Sequence, residues 1–289
     1  MPIRPTQPQS VSGVLDTTFQ LYRASVLKVI PLSLLMVLAA SPPTIYVFRQ
    51  GGANPNDPFA LLKMIGSVGY FTATTLSWIA IVLVVAPFSL KLTALASDSD
   101  MTVGAAFRKA LPRLPSLVLS LICYQIVVSL TLGVAIAPFF ALGRSPIALL
   151  LCLVLIVPSL LLSVSLLLFI GTCLFDAKGP IAALLASHRL IWGNWWRTTA
   201  ILGVGFIVVI VIYTIALLLV GVVVPIVVLG GGTENYALIG LISGVMIDVL
   251  TSVLMAPFYI GLFLAIYWDL KLRKEGGDLA ARVGSLNPA

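Results

Sequence analysis

The sequence predicts an all-α, polytopic membrane protein with six transmembrane helices and three amphipathic helices on the cytoplasmic side, and three observations carry that prediction. Of 289 residues, 60% are hydrophobic and only 9% are charged, whereas a soluble domain is about half apolar and about a quarter charged. The mean hydropathy is +1.13, which excludes a solvated, disordered chain. Six apolar runs alternate with charged or turn-forming segments, and each is long enough to cross a hydrocarbon core of roughly 30 Å, which takes about 20 helical residues.

In order, the runs are Val26 to Phe48, Gly66 to Leu95, Leu114 to Pro138, Ile147 to Phe175, Thr198 to Leu229 and Ala237 to Trp268. Several exceed the minimum length, which fits tilt, a kink or an end lying along the interface. Pro31, Pro87, Pro158, Pro225 and Pro257 fall inside them and are expected kink points. The opening Met1 to Ser10 lacks the apolar core and small-residue cleavage site of a secretory signal, so the first run is expected to remain as a span. Cys123, Cys152 and Cys173 sit in apolar runs, where they act as small hydrophobes with no spacing suited to a metal.

Orientation follows from seventeen Lys and Arg against ten Asp and Glu, a net charge of +7. Arg4, Arg23, Lys28, Lys91, Arg108, Lys109, Arg113, Lys178, Arg189, Arg197, Lys271, Arg273, Lys274 and Arg282 flank one set of span ends, leaving only Arg49, Lys63 and Arg144 on the other. The positive-inside rule then puts both termini in the cytoplasm. Trp192, Trp195, Trp196, Tyr267 and Trp268 fall beside the same ends, as an aromatic belt does. The outer connections, Arg49 to Pro58, Phe139 to Pro146 and Gly230 to Tyr236, are short, and Gly51, Gly52, Gly230, Gly231 and Gly232 mark turns there. Activity is therefore expected within the membrane or at its inner face.

Each pair of runs follows a short amphipathic stretch, giving approximate units 10–95, 102–175 and 180–272 within one integral membrane domain, and a short tail over 273–289. The first stretch sets Val11, Val14, Leu15, Thr18 and Tyr22 against Asp16, Gln20 and Arg23. The second opens at Thr102, a suitable cap, and sets Val103, Phe107, Ala110 and Leu114 against Arg108, Lys109 and Arg113. The third enters after Gly179-Pro180 and sets Ile181, Leu184, Leu185, Ile191, Trp192 and Trp195 on one face. Basic residues opposite bulky apolar ones suit helices lying in the headgroup plane of an anionic leaflet.

Hydrolytic chemistry needs a nucleophile and base, a carboxylate pair or a metal cage, and the sole histidine limits these choices. No phosphate-binding glycine loop precedes a Lys and Ser or Thr. No catalytic set, metal site or cofactor is expected, and no nucleic-acid partner. His188 reads either as a packed histidine or as a lipid-headgroup or pH-responsive contact. Asp248 is the only acidic residue well inside a run. It reads either as an interfacial or locally hydrogen-bonded group or as part of a transport path. Gly203, Gly205, Gly240 and Gly244 offer small faces for close helix packing. After the last run, Asp269, Lys271, Arg273, Lys274, Glu275 and Asp278 mix both signs, and Lys271 can pair with Glu275 at i, i+4. This ending reads as a solvated helix end stopped by Gly276-Gly277 or as a docking surface.

Three segments carry a family resemblance. They are Gly13-Val-Leu-Asp-Thr-Thr-Phe-Gln-Leu-Tyr-Arg23, the stretch from Leu184 through Ser187-His-Arg-Leu-Ile-Trp-Gly-Asn-Trp-Trp-Arg197, and Ala265-Ile-Tyr-Trp-Asp-Leu-Lys-Leu-Arg-Lys-Glu-Gly-Gly-Asp-Leu279. They resemble signature segments of a bacterial membrane family related to the membrane domain of glycerophosphoryl diester phosphodiesterases. The resemblance implies six spans with amphipathic helices between them. A few members are fused to a catalytic barrel that uses two histidines and acidic metal ligands. This chain has one His and no barrel-length soluble segment, so that activity does not transfer.

The leading expectation is a non-enzymatic protein of a bacterial inner membrane. It would organise lipid, with anionic headgroups at the cytoplasmic face, or a protein partner. Its contact residues would be Arg108, Lys109, Arg113, His188, Arg189, Trp195, Trp196, Arg197, Asp269, Lys271 and Arg273. The alternative is a transporter or channel for a small or lipidic substrate, with Asp248 as its intramembrane polar site.

Overall fold

The structure is a computed structural model that describes residues 3–50, 60–143, 145–231 and 236–286. Among the described residues no strand forms, as expected where lipid offers no partners for backbone groups and a helix satisfies its own.

Ser10 caps α1 (Val11–Ser25), its hydroxyl accepting from the Gly13 amide at 3.1 Å. Val14, Thr17, Thr18, Leu21 and Ser25 line its buried face, and Asp16, Gln20 and Arg23 are exposed. A turn follows, and α2 (Ile30–Arg49) begins with Pro31 in its first turn. The first run therefore does not start as helix at Val26, and Pro31 is a helix start and not a kink. Its missing amide is one the first turn leaves unpaired anyway. Pro42 and Pro43 lie inside α2 instead. After α3 (Ala60–Ile65), α4 (Val68–Ala96) is capped by Ser67, whose hydroxyl accepts from the Tyr70 amide at 3.2 Å. Thr102 caps α5 (Val103–Ala110) in the same way, accepting from the Ala105 amide at 3.2 Å.

One 3₁₀ turn (Leu111–Arg113) leads into α6 (Leu114–Leu142). α7 (Pro146–Leu166) starts at a Ser145 cap, and α8 (Phe169–Leu174) continues the fourth run after a break. α9 (Pro180–Ile191) is the third short amphipathic helix, and Gly193 at φ 90° turns the chain into α10 (Trp195–Gly231). α11 (Tyr236–Leu286) ends the described chain. α10 continues through Gly230 and Gly231, where a turn was expected, and α11 continues through Gly276 and Gly277. A helical glycine costs about 1 kcal/mol relative to alanine, too little to end helices this long. Gly51, Gly52, Arg144 and Gly232 lie outside the described residues, as do the side chains of Pro225, Asp278 and Arg282.

Six helical stretches are long and apolar enough to cross a membrane: Ile30–Arg49, Val68–Ala96, Val103–Leu142, Pro146–Leu174, Trp195–Val222 and Ile242–Gly276. The protein is an all-α, multi-pass membrane protein. In chain order a short helix precedes two long ones three times: α1 before α2 and α4, α5 before α6 and α7, α9 before α10 and α11. The chain forms two compact units. One comprises Met1–Thr18, Arg108–Gly203 and Leu262–Ala289; the other comprises Phe19–Phe107 and Val204–Gly261.

In the second unit α2 packs along α4, and the Ser77 hydroxyl donates to the Ala39 carbonyl at 2.9 Å across that contact. A Cβ on Gly69 would come within 2.5 Å of the Tyr46 ring, so only glycine lets that ring lie on α4. Phe258, fully buried, packs against Phe19 and Tyr22 with ring centroids 5.4 and 6.2 Å away.

In the first unit α6 packs along α7, and α9 lies against α6, α7 and α8. The break between α7 and α8, at Leu167 and Leu168, frees backbone groups in an apolar setting. Buried Ser187 of α9 mends it: its hydroxyl donates to the Ser165 carbonyl at 2.8 Å and accepts from the Leu168 amide at 3.0 Å. The Thr172 hydroxyl donates back to the Ala183 carbonyl at 2.8 Å. Ser187→Ala leaves both backbone groups unpartnered, at about 1–3 kcal/mol for each group so orphaned. Thermal unfolding in mild detergent is expected to show a midpoint lowered by several degrees, whereas Ser163→Ala, which removes only a bond to its own helix, shifts it little.

Candidate functional site

The polar chemistry of the first unit gathers where α6 and α10 begin, α8 ends and α11 leaves its apolar stretch. Its centre is Asp269, whose side chain is 0% exposed. The Asp269 carboxylate accepts from the backbone amide of Gln9 at 2.7 Å and from Arg273 Nε at 3.0 Å, and it pairs with the Arg197 guanidinium. Both guanidinium groups also donate to the Gln9 carbonyl, Arg197 at 2.6 Å. One peptide residue is thus held by both its amide and its carbonyl. The Gln9 side chain bonds Thr17 at 2.8 Å, and the Arg4 guanidinium lies 5.8 Å from the ring centroid of buried Trp268. The segment before α1 is in this way latched to α10 and α11. A buried carboxylate is tolerated only with its lone pairs matched, and two guanidinium groups plus an amide match them.

A second polar group adjoins α9. The Asp176 carboxylate accepts from the Tyr267 hydroxyl at 2.9 Å and pairs with Lys271, which also pairs with Glu275 at 3.5 Å. Tyr267 lies over Gly171, where a Cβ would stand 2.8 Å from its ring. Ala177 takes φ 57°, a left-handed conformation costing roughly 1 kcal/mol for an L residue. In this turn its carbonyl accepts from Arg113 at 3.4 Å, and the next carbonyl, of Lys178, accepts from Ser116 at 3.3 Å. Lys274 donates to the carbonyls of Arg189 and Trp192, placing a cation on the negative end of the α9 dipole.

Beside this group opens a cavity of about 460 Å³ whose charged lining is Asp176, Lys178, Arg189, Lys271, Lys274 and Glu275. Four cations face two carboxylates, so the arrangement suits binding an anion. Among the described residues no group of three His, Cys, Asp or Glu is placed to hold a metal ion.

The residues expected as contacts divide accordingly. Arg197, Asp269 and Arg273 meet in the latch and are committed to internal bonds; Asp269 is buried, so this part of α11 is not a solvated helix end. Arg189 and Lys271 line the cavity. Arg108 and Lys109 are exposed on α5, opposite buried Ala106 and Ala110. Trp196 is exposed, and its ring packs edge-on to Trp195 at 4.7 Å. His188 is half-buried, its ring 5.0 Å from Trp192. Asp248 lies in the second unit, where the Thr44 hydroxyl of α2 approaches its carboxylate at 3.4 Å.

Sequence reasoning missed Gln9, which acts through its backbone, and missed Asp176 as Lys271's partner. Spacing placed Lys271 beside Glu275 at i, i+4, and it puts Lys274 on the same helix face at i+3. Of the small faces expected at Gly203, Gly205, Gly240 and Gly244, Gly203 is open, Gly205 is buried, Gly244 makes an ordinary 3.6 Å contact with Thr44, and the surroundings of Gly240 lie outside the described residues; tighter approaches occur at Gly69 and Gly171.

Comparison of the chain with protein-family models, with curated proteins and with solved structures finds no match.

Removing the central charge while keeping its shape tests the latch. Asp269→Asn leaves two guanidinium groups without their carboxylate, at about 3 kcal/mol by analogy with broken buried pairs. Thermal unfolding in detergent is expected to show the loss, and limited proteolysis is expected to cut within residues 3–10 of the variant at protease concentrations that leave the parent intact.

Proposed function

We propose that this chain is a non-enzymatic protein of a bacterial plasma membrane, with both termini in the cytoplasm. In this reading it organises lipid, or a protein partner, through interfacial helices at that face. Its relationship to the membrane domain of the glycerophosphoryl diester phosphodiesterases is part of the same proposal, resting on the three segments quoted above.

The observation that carries the reading is the way α9 is docked. Its buried face is Ala183, Leu184, Ser187 and Ile191, which fit against the neighbouring helices. Ile181, Leu185 and Trp192, expected on that same face, point outward at 67, 52 and 61% exposure, beside exposed Arg189. Bulky apolar and aromatic groups interleaved with a cation suit the headgroup and upper acyl region of an anionic leaflet. The positive-inside distribution of Lys and Arg supports the cytoplasmic assignment, and exposed Arg108 and Lys109 on α5 extend the same chemistry.

Reconstitution in nanodiscs of mixed phosphatidylglycerol and phosphatidylethanolamine, followed by lipid quantification on the purified protein, tests this. The parent is expected to enrich the anionic lipid. Arg108→Gln, Lys109→Gln and Arg113→Gln together are expected to reduce the enrichment at least about fivefold, the effect of a single basic residue contributing about 1 kcal/mol near an anionic surface. Unchanged lipid enrichment together with unchanged recovery of protein partners ends the reading.

A transport role is the second reading, favoured by the Thr44 contact to Asp248 inside a membrane-length helix. Asp248→Asn is then expected to abolish substrate flux in proteoliposomes, and unaltered flux removes Asp248 as the site.

A further inference from the structure

We propose that the cavity beside α9 is a specific site for one anionic phospholipid, with the phosphate of its headgroup held by Lys178 and Arg189. The groove beside Ala182 then receives the start of an acyl chain. This deepens the reading of α9 as a lipid-organising helix and rests on it.

The electrostatics single out those two residues. Lys271 is committed to Asp176 and Glu275, and Lys274 to the terminal carbonyls of α9. Neither the Lys178 ammonium nor the Arg189 guanidinium has an ion-pair partner among the described residues. They are the cavity's uncompensated charge. A guanidinium presents paired N–H donors that match two phosphate oxygens, and an ammonium adds a point charge. The cavity's volume of about 460 Å³ lies within the roughly 300–1,000 Å³ of small-ligand sites.

The surroundings favour a lipid over free phosphate. The cavity is walled on the α9 side by Leu185 and Leu190, and Ala182 belongs both to it and to a second hollow. That hollow, about 430 Å³, is an open groove lined by Leu119, Cys123 and Ile181. Leu119 and Cys123 lie within the first turns of α6, on a membrane-length stretch, and Leu119 and Ile181 are 52 and 67% exposed. Charge lies where the helices emerge and apolar surface runs from it along a span, in the order of headgroup and chain in a glycerophospholipid. Inorganic phosphate has no use for the groove.

The test is native mass spectrometry of the full chain from nanodiscs of mixed phosphatidylglycerol and phosphatidylethanolamine, after extended detergent washing. The expected result is one phosphatidylglycerol retained per chain. Lys178→Gln with Arg189→Gln is expected to lower that retention at least tenfold at an unchanged unfolding midpoint, since neither side chain makes an ion pair. Ala182→Phe, which fills the groove and leaves the charges in place, is also expected to lower it.

Equal retention of phosphatidylethanolamine, or full retention in the double variant, overturns the proposal. Displacement by millimolar inorganic phosphate with no effect of Ala182→Phe makes the site one for free anions and overturns the lipid assignment. Neutralising Arg108 and Lys109 separates this proposal from the broader reading. It is expected to reduce bulk anionic enrichment while the single washed-in lipid stays. Enrichment that depends on α5, with no retained lipid at Lys178 and Arg189, refutes the site and leaves the broader reading standing. A retained lipid at Lys178 and Arg189 with bulk enrichment unchanged on neutralising Arg108 and Lys109 keeps the site and removes α5 as the wider lipid contact.

Discussion

A carboxylate buried in an apolar helical protein must be matched completely, and the match made by Asp269 organises the first unit. Three partners converge on it from separate parts of the chain: the Gln9 amide, Arg197 at the start of α10, and Arg273 one turn along α11. Because both guanidinium groups also bind the Gln9 carbonyl, the cluster fixes backbone as well as side chains. Removing either guanidinium leaves the enclosed carboxylate short of a partner, the costly loss in a buried ion pair. The cluster also ties together residues from, or beside, three stretches far apart in the chain: Thr17 next to Gln9, Arg197, and Asp269.

The cost of leaving freed backbone groups unmatched in an apolar setting also explains how α9 is placed. The fourth run is broken without a proline, and Ser187 supplies one donor and one acceptor to the freed backbone. That bond seats α9 by its small face. Its bulky residues then face outward and its cation-lined side faces the end of α11. The latch and the serine together produce the cavity: one positions the end of α11, the other the wall of α9.

The spans were legible in the sequence because run length answers directly to membrane thickness. The caps at Ser10, Ser67 and Thr102 follow from local chemistry, and the Thr102 cap and the Lys271 to Glu275 pair were readable from spacing. What was not legible depends on long-range placement. Nothing in Ser165-Leu-Leu-Leu-Phe169 announces a helix break, because the groups that permit it are on Ser187. Proline was a misleading guide at Pro31, where it starts a helix. Glycine spacing did not point to Gly69 and Gly171, where a Cβ would meet a ring, because these positions are identified only by the tyrosine rings that fall on them. Charge patterning marked Asp269 as one of a mixed exposed set, since a sequence does not show which member of such a set is enclosed.

The direct test of this account is amide hydrogen exchange on the unmodified protein in nanodiscs, read at Gln9. If the residue is held through both its amide and its carbonyl by the Asp269 cluster, that amide exchanges as slowly as those in the middle of α9, although it precedes the first helix. Exchange at the rate of an unstructured peptide would show that the Gln9 peptide is not bound. The buried carboxylate would then not be the organising contact of the first unit.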